Sequence, residues 1–274
     1  MNKKLIGLLV LGTLSNAAIA DEAVAQATAE PASPHTFTYN IGLFSQYIFR
    51  GLTQTGEELA LQGGVDYSHA SGFYAGAWAS NISWLEDSNA YKNSSLELDI
   101  YGGYRNTFGE TGIGYDVGLL QYLYPGDKVA AATIDDAETT EVYGALSWKW
   151  LQGKVSYVVS DDAWGVTDAD GSWYSELNAN VPIAESGFTV IAHIGRQKFD
   201  GGSPTSLSAA ALGCNDNDCL SYTDWKLGLS KSFSNGINVG GYYTDTNAKR
   251  AVWTDASGQN LGDNQFTVFV QKAF

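Results

Sequence analysis

Apolar side chains recur at every second position through most of the chain after residue 37. In the last eleven residues, Phe266, Val268, Val270 and Phe274 share one face, and mostly polar side chains occupy the positions between them. Side chains alternate across a β-strand, so the pattern predicts a strand with one largely apolar face. An aromatic carboxy terminus on such a strand is typical of the closing segment of bacterial outer-membrane β-barrels. We therefore interpret these four residues as an assembly signal.

The same alternation predicts twelve strands, and the links between them differ systematically in length. The strands are placed near residues 37–50, 59–69, 72–83, 94–107, 112–124, 139–150, 153–160, 173–183, 187–198, 221–233, 236–247 and 264–274. Five short links, such as 70–71 and 151–152, alternate with six longer ones, such as 51–58 and 199–220. The architecture of a soluble β-sandwich does not require short and long links to alternate. The pattern favours an all-β, antiparallel, up-and-down transmembrane barrel with both termini in the periplasm.

The chain begins with the features of a secretory signal. Lys3 and Lys4 precede an apolar segment, and Ala18-Ile19-Ala20 supplies a cleavage site. We predict a signal peptide over 1–20, a flexible linker over 21–36 and the barrel over 37–274. Cleavage would remove Lys3 and Lys4 and change the formal net charge from −15 to −17. This balance argues against nucleic acid; the expected partners are outer-membrane lipid, lipopolysaccharide and the barrel-assembly machinery, with no cofactor.

Charged residues within the predicted strands fall between the outward apolar positions. A Lys or Arg facing lipid at mid-bilayer costs about 2–4 kcal/mol, so these residues are predicted to line an aqueous lumen. The predicted pore-lining residues are Arg50, Asp66, Glu97, Asp99, Arg105, Asp116, Glu141, Lys149, Lys154, Glu176, Asp224 and Lys226. Arg50, at the top of the first strand, would face acids such as Glu97, Asp99 or Asp116. It would either set the field of a constriction or only stabilise the barrel. The outward-facing residues of segments 72–83 and 187–198 cannot be assigned from the pattern. In the first segment, Tyr74 with Trp78 and Phe73 with Ala77 both fit the outer face.

Several segments resemble the TorF-type porin family of proteobacteria. The likeness is concentrated between residues 45 and 126, in Ser45–Gln54 (SQYIFRGLTQ), Leu61–Tyr67 (LQGGVDY), Gly72–Asn81 (GFYAGAWASN), Leu96–Arg105 (LELDIYGGYR) and Tyr122–Gly126 (YLYPG). The resemblance implies a secreted outer-membrane barrel. It supplies no established substrate and no functional residue to carry over.

The residues that could carry other chemistry are few. His35, His69 and His193 lack a suitably placed serine nucleophile, so no catalytic residue is predicted. Cys214 and Cys219 are predicted to form a local disulfide in an oxidising compartment. Asp168-Ala169-Asp170-Gly171 has no downstream Glu to complete a calcium loop, and no metal site is predicted.

These observations predict an outer-membrane, porin-like channel for passive diffusion of small hydrophilic solutes through a narrow charged pore. The alternative is a non-conducting barrel whose acidic loops serve adhesion or surface interaction, and a lipid-acting enzyme is a third. Acid-rich long links predict a modest cation preference if the mouth sets selectivity. If Arg50 and its neighbours set it, anions are preferred.

We expect Phe274 to matter more for assembly than for the folded barrel, because the terminal aromatic ends an alternating strand. Deleting Phe274 should lower the amount of protein recovered in the outer-membrane fraction. The measurement is immunoblotting of fractionated cells together with heat-modifiability on gels. Unchanged levels and unchanged heat-modifiability would contradict the assignment.

Overall fold

The structure is a computed structural model that describes residues 33–274, apart from 131–133, 135 and 203–215. The predicted signal peptide, most of the predicted linker and Cys214 lie outside the described residues. Fourteen strands and two short helices are described: β1 His35–Phe44, β2 Ile48–Phe49, β3 Leu52–Thr53, β4 Ala60–His69, β5 Phe73–Asn81, α1 Trp84–Asp87, β6 Leu96–Thr107, β7 Ile113–Leu123, β8 Thr139–Trp148, β9 Leu151–Val158, β10 Trp173–Pro182, β11 Phe188–Lys198, α2 Asp216–Leu220, β12 Tyr222–Ser232, β13 Ile237–Thr246 and β14 Gln265–Ala273. No helix among these residues has the length and apolarity needed to cross a bilayer.

Twelve of the strands form a closed antiparallel barrel, which confirms the predicted fold class. Each strand from β4 to β14 pairs with its sequence neighbours, and β1 closes the ring between β4 and β14. The short connections, with both ends of the barrel sequence, lie at one end of the barrel, which we call the turn end. The long connections lie at the other end, the loop end. The strict alternation of short and long links is therefore present.

The two faces of the sheet follow the alternation of the sequence. On β14, Phe266 is 63% exposed and Val268 51% exposed on the outside, whereas Thr267 and Phe269 are buried inside. The structure also resolves strand β5, where Phe73 points outward and Tyr74 and Trp78 point into the lumen. A barrel with an apolar outer face and a polar inner face is the arrangement that a bilayer requires.

Most strand boundaries lie within two residues of the prediction, and three of the differences have a local cause. β1 already begins at His35, within the predicted linker, because it pairs with β4 as far as His69. The turn between β8 and β9 lies at residues 149–150 rather than 151–152, and Lys149 adopts a left-handed φ of 56° there. β1 ends at Phe44 rather than near residue 50, because the chain turns inward at Ser45.

The closing seam between β1 and β14 is short. Five register pairs join residues 40–44 of β1 to residues 269–273 of β14, and Tyr39 and Phe274 exchange backbone hydrogen bonds beside them, whereas β1 and β4 share ten register pairs. Beyond Phe44, Ser45 replaces the missing strand: its backbone N–H donates to the carbonyl of Val268 at 2.9 Å, and its hydroxyl accepts from the Val268 N–H at 3.0 Å. Ser45 thus satisfies backbone groups of β14 that β1 leaves unpaired.

The outward position of Leu227 and the inward position of its neighbour Lys226 give a test of the two faces. We expect Leu227→Arg to lower the free energy of unfolding by about 2–4 kcal/mol, because it places a charge in lipid. Lys226→Arg keeps a charge in the lumen and should leave stability nearly unchanged. Urea unfolding of the folded barrel in lipid vesicles measures both; equal effects would show that this part of the sheet is assigned to the wrong faces.

Candidate functional site

Residues 45–59, which we call the inner loop, fold back into the barrel. Within the inner loop, β2 and β3 form a small hairpin whose two turn residues, Arg50 and Gly51, have φ angles of 46° and 83°. Two consecutive left-handed residues are what a tight two-residue hairpin turn requires, and Gly51 supplies one without steric cost. The turn therefore presents the Arg50 side chain at the tip of a compact hairpin.

The tip of the hairpin reaches the far side of the lumen. A Cβ added to Gly51 would lie 2.6 Å from Cβ of Asp224 on β12, so the turn is pressed against that wall. The Arg50 guanidinium donates through Nη2 to both Glu141 carboxylate oxygens on β8, each at 2.8 Å. Nη1 of Arg50 donates to Oε1 of Gln197 on β11, also at 2.8 Å. The inner loop therefore contacts three strands of the wall, and one of them, β8, lies nearly opposite β1 in the ring.

Aromatic rings enclose this ion pair. The Arg50 guanidinium carbon lies 4.4 Å from the ring centre of Tyr174, 4.8 Å from that of Phe49 and 5.0 Å from that of Trp164. Arg50 is 8% exposed and Glu141 is fully buried. Excluding water strengthens the attraction between the two charges and makes loss of either partner costly.

Tyr47 gives the inner loop a second anchor on the opposite side of the lumen. Its hydroxyl donates to Oε1 of Glu97 on β6 at 2.8 Å, and its ring lies 5.5 Å from that of Trp78. Burial, and then the nearby carboxylates of Glu97 and Asp99, raise the pKa of the Tyr47 phenol well above its usual value. Tyr47 is thus a neutral hydrogen-bond donor at every physiological pH.

The loop end of the barrel is packed with side chains from several long connections. Leu85 of α1, Tyr122 and Tyr124 belong to one buried cluster, which Phe49 and Trp164 border. A second cluster joins Leu52 of β3 to Val158, Phe199 and neighbouring side chains. In the described residues, the inner loop is therefore covered from the loop end.

Ten of the predicted pore-lining residues lie on the inner face of a barrel strand: Asp66, Glu97, Asp99, Arg105, Asp116, Glu141, Lys154, Glu176, Asp224 and Lys226. Two are placed differently. Arg50 is not at the top of the first strand, and its partner is Glu141 rather than Glu97, Asp99 or Asp116, because the inward turn at Ser45 carries it across the lumen. Lys149 lies in the turn between β8 and β9, where its Nζ is 4.4 Å from the ring centre of Trp148.

His193 is a lumen residue that was not predicted as a site residue. Its Nε2 lies 2.9 Å from Oδ1 of Asp224, and its Nδ1 lies 2.6 Å from Oδ1 of Asn178. The Tyr174 hydroxyl also contacts Nε2, at 2.9 Å. Among the described residues these hydrogen bonds join His193 to no serine or cysteine. The sequence alone did not show which residues of segment 187–198 face inward. Had it done so, His193 would have been predicted to face the lumen, because it lies between the outward Ala192 and Ile194.

At the turn end, the lumen opens into a cavity of about 640 Å³, which is lined by residues of β1, β4 and β6 to β9. Its lining includes Arg105, Asp116, Ala145 and Gln152. Asp116, which lines the cavity, accepts through Oδ1 from the Tyr74 hydroxyl at 2.6 Å, and the Tyr74 hydroxyl also contacts that of Tyr143. The turn end is therefore more open than the loop end.

Two other sequence predictions concern cysteine and metal. Cys219 is buried and is not a free thiol, but Cys214 lies outside the described residues, so their pairing stays a prediction. Within the described part of the chain, no group of three or more His, Cys, Asp or Glu side chains could hold a metal ion.

Comparison with known proteins gives one family and several similar folds. A family model described as "Bacterial protein of unknown function (Gcw_chp)" matches residues 28–274. A search of curated protein sequences finds no significant match.

Among solved structures, the chain is similar to a KdgM porin, with 8% identity, a TM-score of 0.48 and coverage of 86% of this chain and 99% of that one. The NanC porin has 13% identity, a TM-score of 0.47 and the same coverage. LpxR from Salmonella typhimurium has 9% identity, a TM-score of 0.39 and again 86% and 99% coverage. Likeness at this level assigns no activity.

The buried ion pair gives a stability prediction. Arg50→Gln and Glu141→Gln each leave one buried charge unpaired, and each should cost about 3–5 kcal/mol of unfolding free energy. The double variant leaves no unpaired charge and should be less destabilised than the sum of the two single variants. Urea unfolding followed by tryptophan fluorescence provides the values. Two single variants within about 0.5 kcal/mol of the native protein would mean that the ion pair does not hold the inner loop.

Proposed function

The chain belongs to the Gcw_chp family of bacterial proteins of unknown function, and for this member we propose a porin-like channel for passive diffusion of small hydrophilic solutes across the outer membrane. The observation that carries the proposal is a closed barrel whose lumen is lined by charged and phenolic side chains on its inner face. Apolar side chains would pack a filled lumen better, whereas charged and phenolic side chains suit a hydrated path.

The inner loop would form the narrowest part of this path. It crosses the lumen and is held by the polar contacts of Arg50 and Tyr47 as well as by the apolar packing of Phe49 and Leu52. Polar contacts can exchange with water or with a polar solute, so they are suited to a constriction that lets solutes pass. Because Glu141 balances the charge of Arg50, we expect Arg50 to fix the loop rather than to attract anions.

The orientation and surroundings are part of the proposal. The turn end, with both ends of the barrel sequence, would face the periplasm, and the acidic long connections would face outward. Export through a cleaved signal peptide, insertion by the barrel-assembly machinery and contact with lipopolysaccharide would follow from this location. We propose no catalytic role, because the hydrogen bonds of His193 among the described residues lead to Asp224, Asn178 and Tyr174 and not to a serine or cysteine nucleophile.

One observation favours a second candidate function, a non-conducting barrel that acts through its acidic connections. The two buried clusters at the loop end cover the inner loop in the described residues. If that packing persists in the membrane, solutes would not reach the lumen, and surface interaction would remain as the function.

Single-channel recording in planar bilayers separates the two candidates. We expect the native protein to give small conductance steps. Gly51→Val should give steps at least about twice as large, because a side chain at residue 51 collides with Asp224 and Thr246 and displaces the hairpin. Leu227→Ile, on the outer face, is the control and should match the native protein.

The outcomes assign the function. Steps in Gly51→Val alone would mean that the inner loop closes the channel instead of narrowing it. Silence of both proteins, with heat-modifiability showing folded barrels, would overturn the channel and leave the non-conducting barrel.

A further inference from the structure

We propose that two lysines on the outer face of the barrel at its turn end, Lys231 and Lys272, bind the headgroups of anionic phospholipids. We call these two residues the lysine patch. The patch lies on the outside of the wall and not in the channel, so its binding of lipid needs a bilayer but no conduction. In the orientation proposed above, the bound lipids would be those of the periplasmic leaflet.

The two lysines occupy the same place in two similar strand endings. Lys231 precedes Phe233 by two residues at the end of β12, and Lys272 precedes Phe274 by two residues at the end of β14. Residues two apart on a strand point to the same face of the sheet. Phe233 is 49% exposed and Phe274 is 69% exposed on the outer face. Both lysines therefore point outward, to the side of the sheet that faces lipid.

Each ammonium group bends towards the turn end. Nζ of Lys231 donates to the carbonyl oxygen of Ser186, in the turn between β10 and β11. Nζ of Lys272 donates to that of Asn235, in the turn between β12 and β13. A lysine on the lipid face is costly at mid-bilayer and costs little near the interface, so a long side chain lowers its energy by carrying the charge to the headgroups. Both side chains take this direction.

Aromatic rings mark the same level of the wall. Nζ of Lys231 lies 4.6 Å from the ring centre of Phe188, and Nζ of Lys272 lies 5.3 Å from that of Phe274. The exposed ring of Trp148, at the last residue of β8, also lies at the turn end. Outer-membrane barrels carry girdles of aromatic side chains at the two membrane–water interfaces. The lysine patch therefore lies at the height of lipid headgroups.

Neither lysine has an acidic partner among the described residues. The ion pairs found there within 4.0 Å include neither of them, although Glu185 precedes Ser186 in the turn and the carboxylate of Phe274 ends β14's segment. An ammonium group has three hydrogen-bond donors, and each lysine uses one of them for its turn carbonyl. Two donors and an unneutralised charge on each side chain are thus left for an anion.

The surface between the two lysines is apolar. Lys231, Val239 and Val270 form one register row across β12, β13 and β14, and Lys272 pairs with Ile237 one outward step nearer the turn end. From the spacing of strands and residues in a sheet, the Cα atoms of the two lysines are about 12 Å apart. Val239 and Val270 are exposed on this surface. Cations beside an exposed apolar surface suit an anionic lipid, which has both a charged headgroup and apolar chains, better than a soluble anion.

The test compares phosphatidylglycerol, an anionic phospholipid, with phosphatidylcholine, which carries a phosphate but no net charge. Native mass spectrometry of the folded barrel in a non-ionic detergent, titrated with each lipid, should show tighter binding of phosphatidylglycerol. Lys231→Gln and Lys272→Gln should each weaken that binding about fivefold, because each removes a cation that attracts the headgroup. Lys231→Arg keeps the charge and should bind phosphatidylglycerol as the native protein does.

Lys226→Gln is the matched control. Lys226 lies on the same strand as Lys231, and its substitution removes the same charge, but Lys226 faces the lumen, where its Nζ is 4.9 Å from the ring centre of Tyr242. The affinity for phosphatidylglycerol should change by less than about twofold, because the wall separates this charge from the lipid. Heat-modifiability on gels confirms that each variant is folded.

The outcomes distinguish the lysine patch from the proposed channel. Equal binding of the two lipids, equal losses in Lys231→Gln and Lys226→Gln, or unchanged binding in the double variant of Lys231→Gln and Lys272→Gln would overturn the patch even if the protein conducts. Selective binding of phosphatidylglycerol with the expected pattern in a protein that does not conduct would support the patch and count only against the channel.

Discussion

The ion pair between Arg50 and Glu141 fixes the arrangement inside this barrel. Both groups are withdrawn from water, so each needs the other, and the pair can form only if the chain after β1 crosses the lumen. That crossing brings Tyr47 to Glu97 and presses Gly51 against β12. The buried clusters at the loop end then pack over the crossed chain. The ion pair and the packing of the long connections together fill the loop end of the lumen.

The lumen is not uniform along its length. Near the loop end, Arg50 is paired with Glu141, and aromatic rings exclude water from the pair. Nearer the turn end, the cations of Arg105 and Lys154 lie over the rings of Tyr74 and Tyr143. Phenolic side chains serve both regions, because a ring can cover a cation while its hydroxyl donates to a carboxylate.

The sequence was sufficient to predict the barrel because lipid imposes one rule on every strand. Outward positions such as Leu227 and Val268 must be apolar, so the period of two is visible without the structure, and the inward charges follow by exclusion. The alternation of short and long links can also be recognised from the sequence alone, because each link is identified from its own residues.

The inner loop could not be predicted in this way. Residues 45–59 have no lipid-facing side and hence no period, so Arg50 was placed on the preceding strand. Its partner depends on which residues of β8 and β11 reach the same height, and that register is a property of the closed sheet. The cavity likewise depends on which side chains the paired strands bring together at the turn end, and this is known only once the register is known.

The inward turn at Ser45 has a consequence for the mechanics of the sheet. Because β1 leaves the wall after Phe44, the closing seam has five register pairs where the neighbouring junction of β1 with β4 has ten. Beyond these pairs, the hydroxyl of Ser45 accepts the hydrogen bond of a β14 backbone N–H that a strand carbonyl would otherwise accept. Fewer cooperative hydrogen bonds must break there than at β1 and β4, so this junction resists lateral separation less. The residue that sends the chain across the lumen therefore also creates a line along which the wall of the barrel can part.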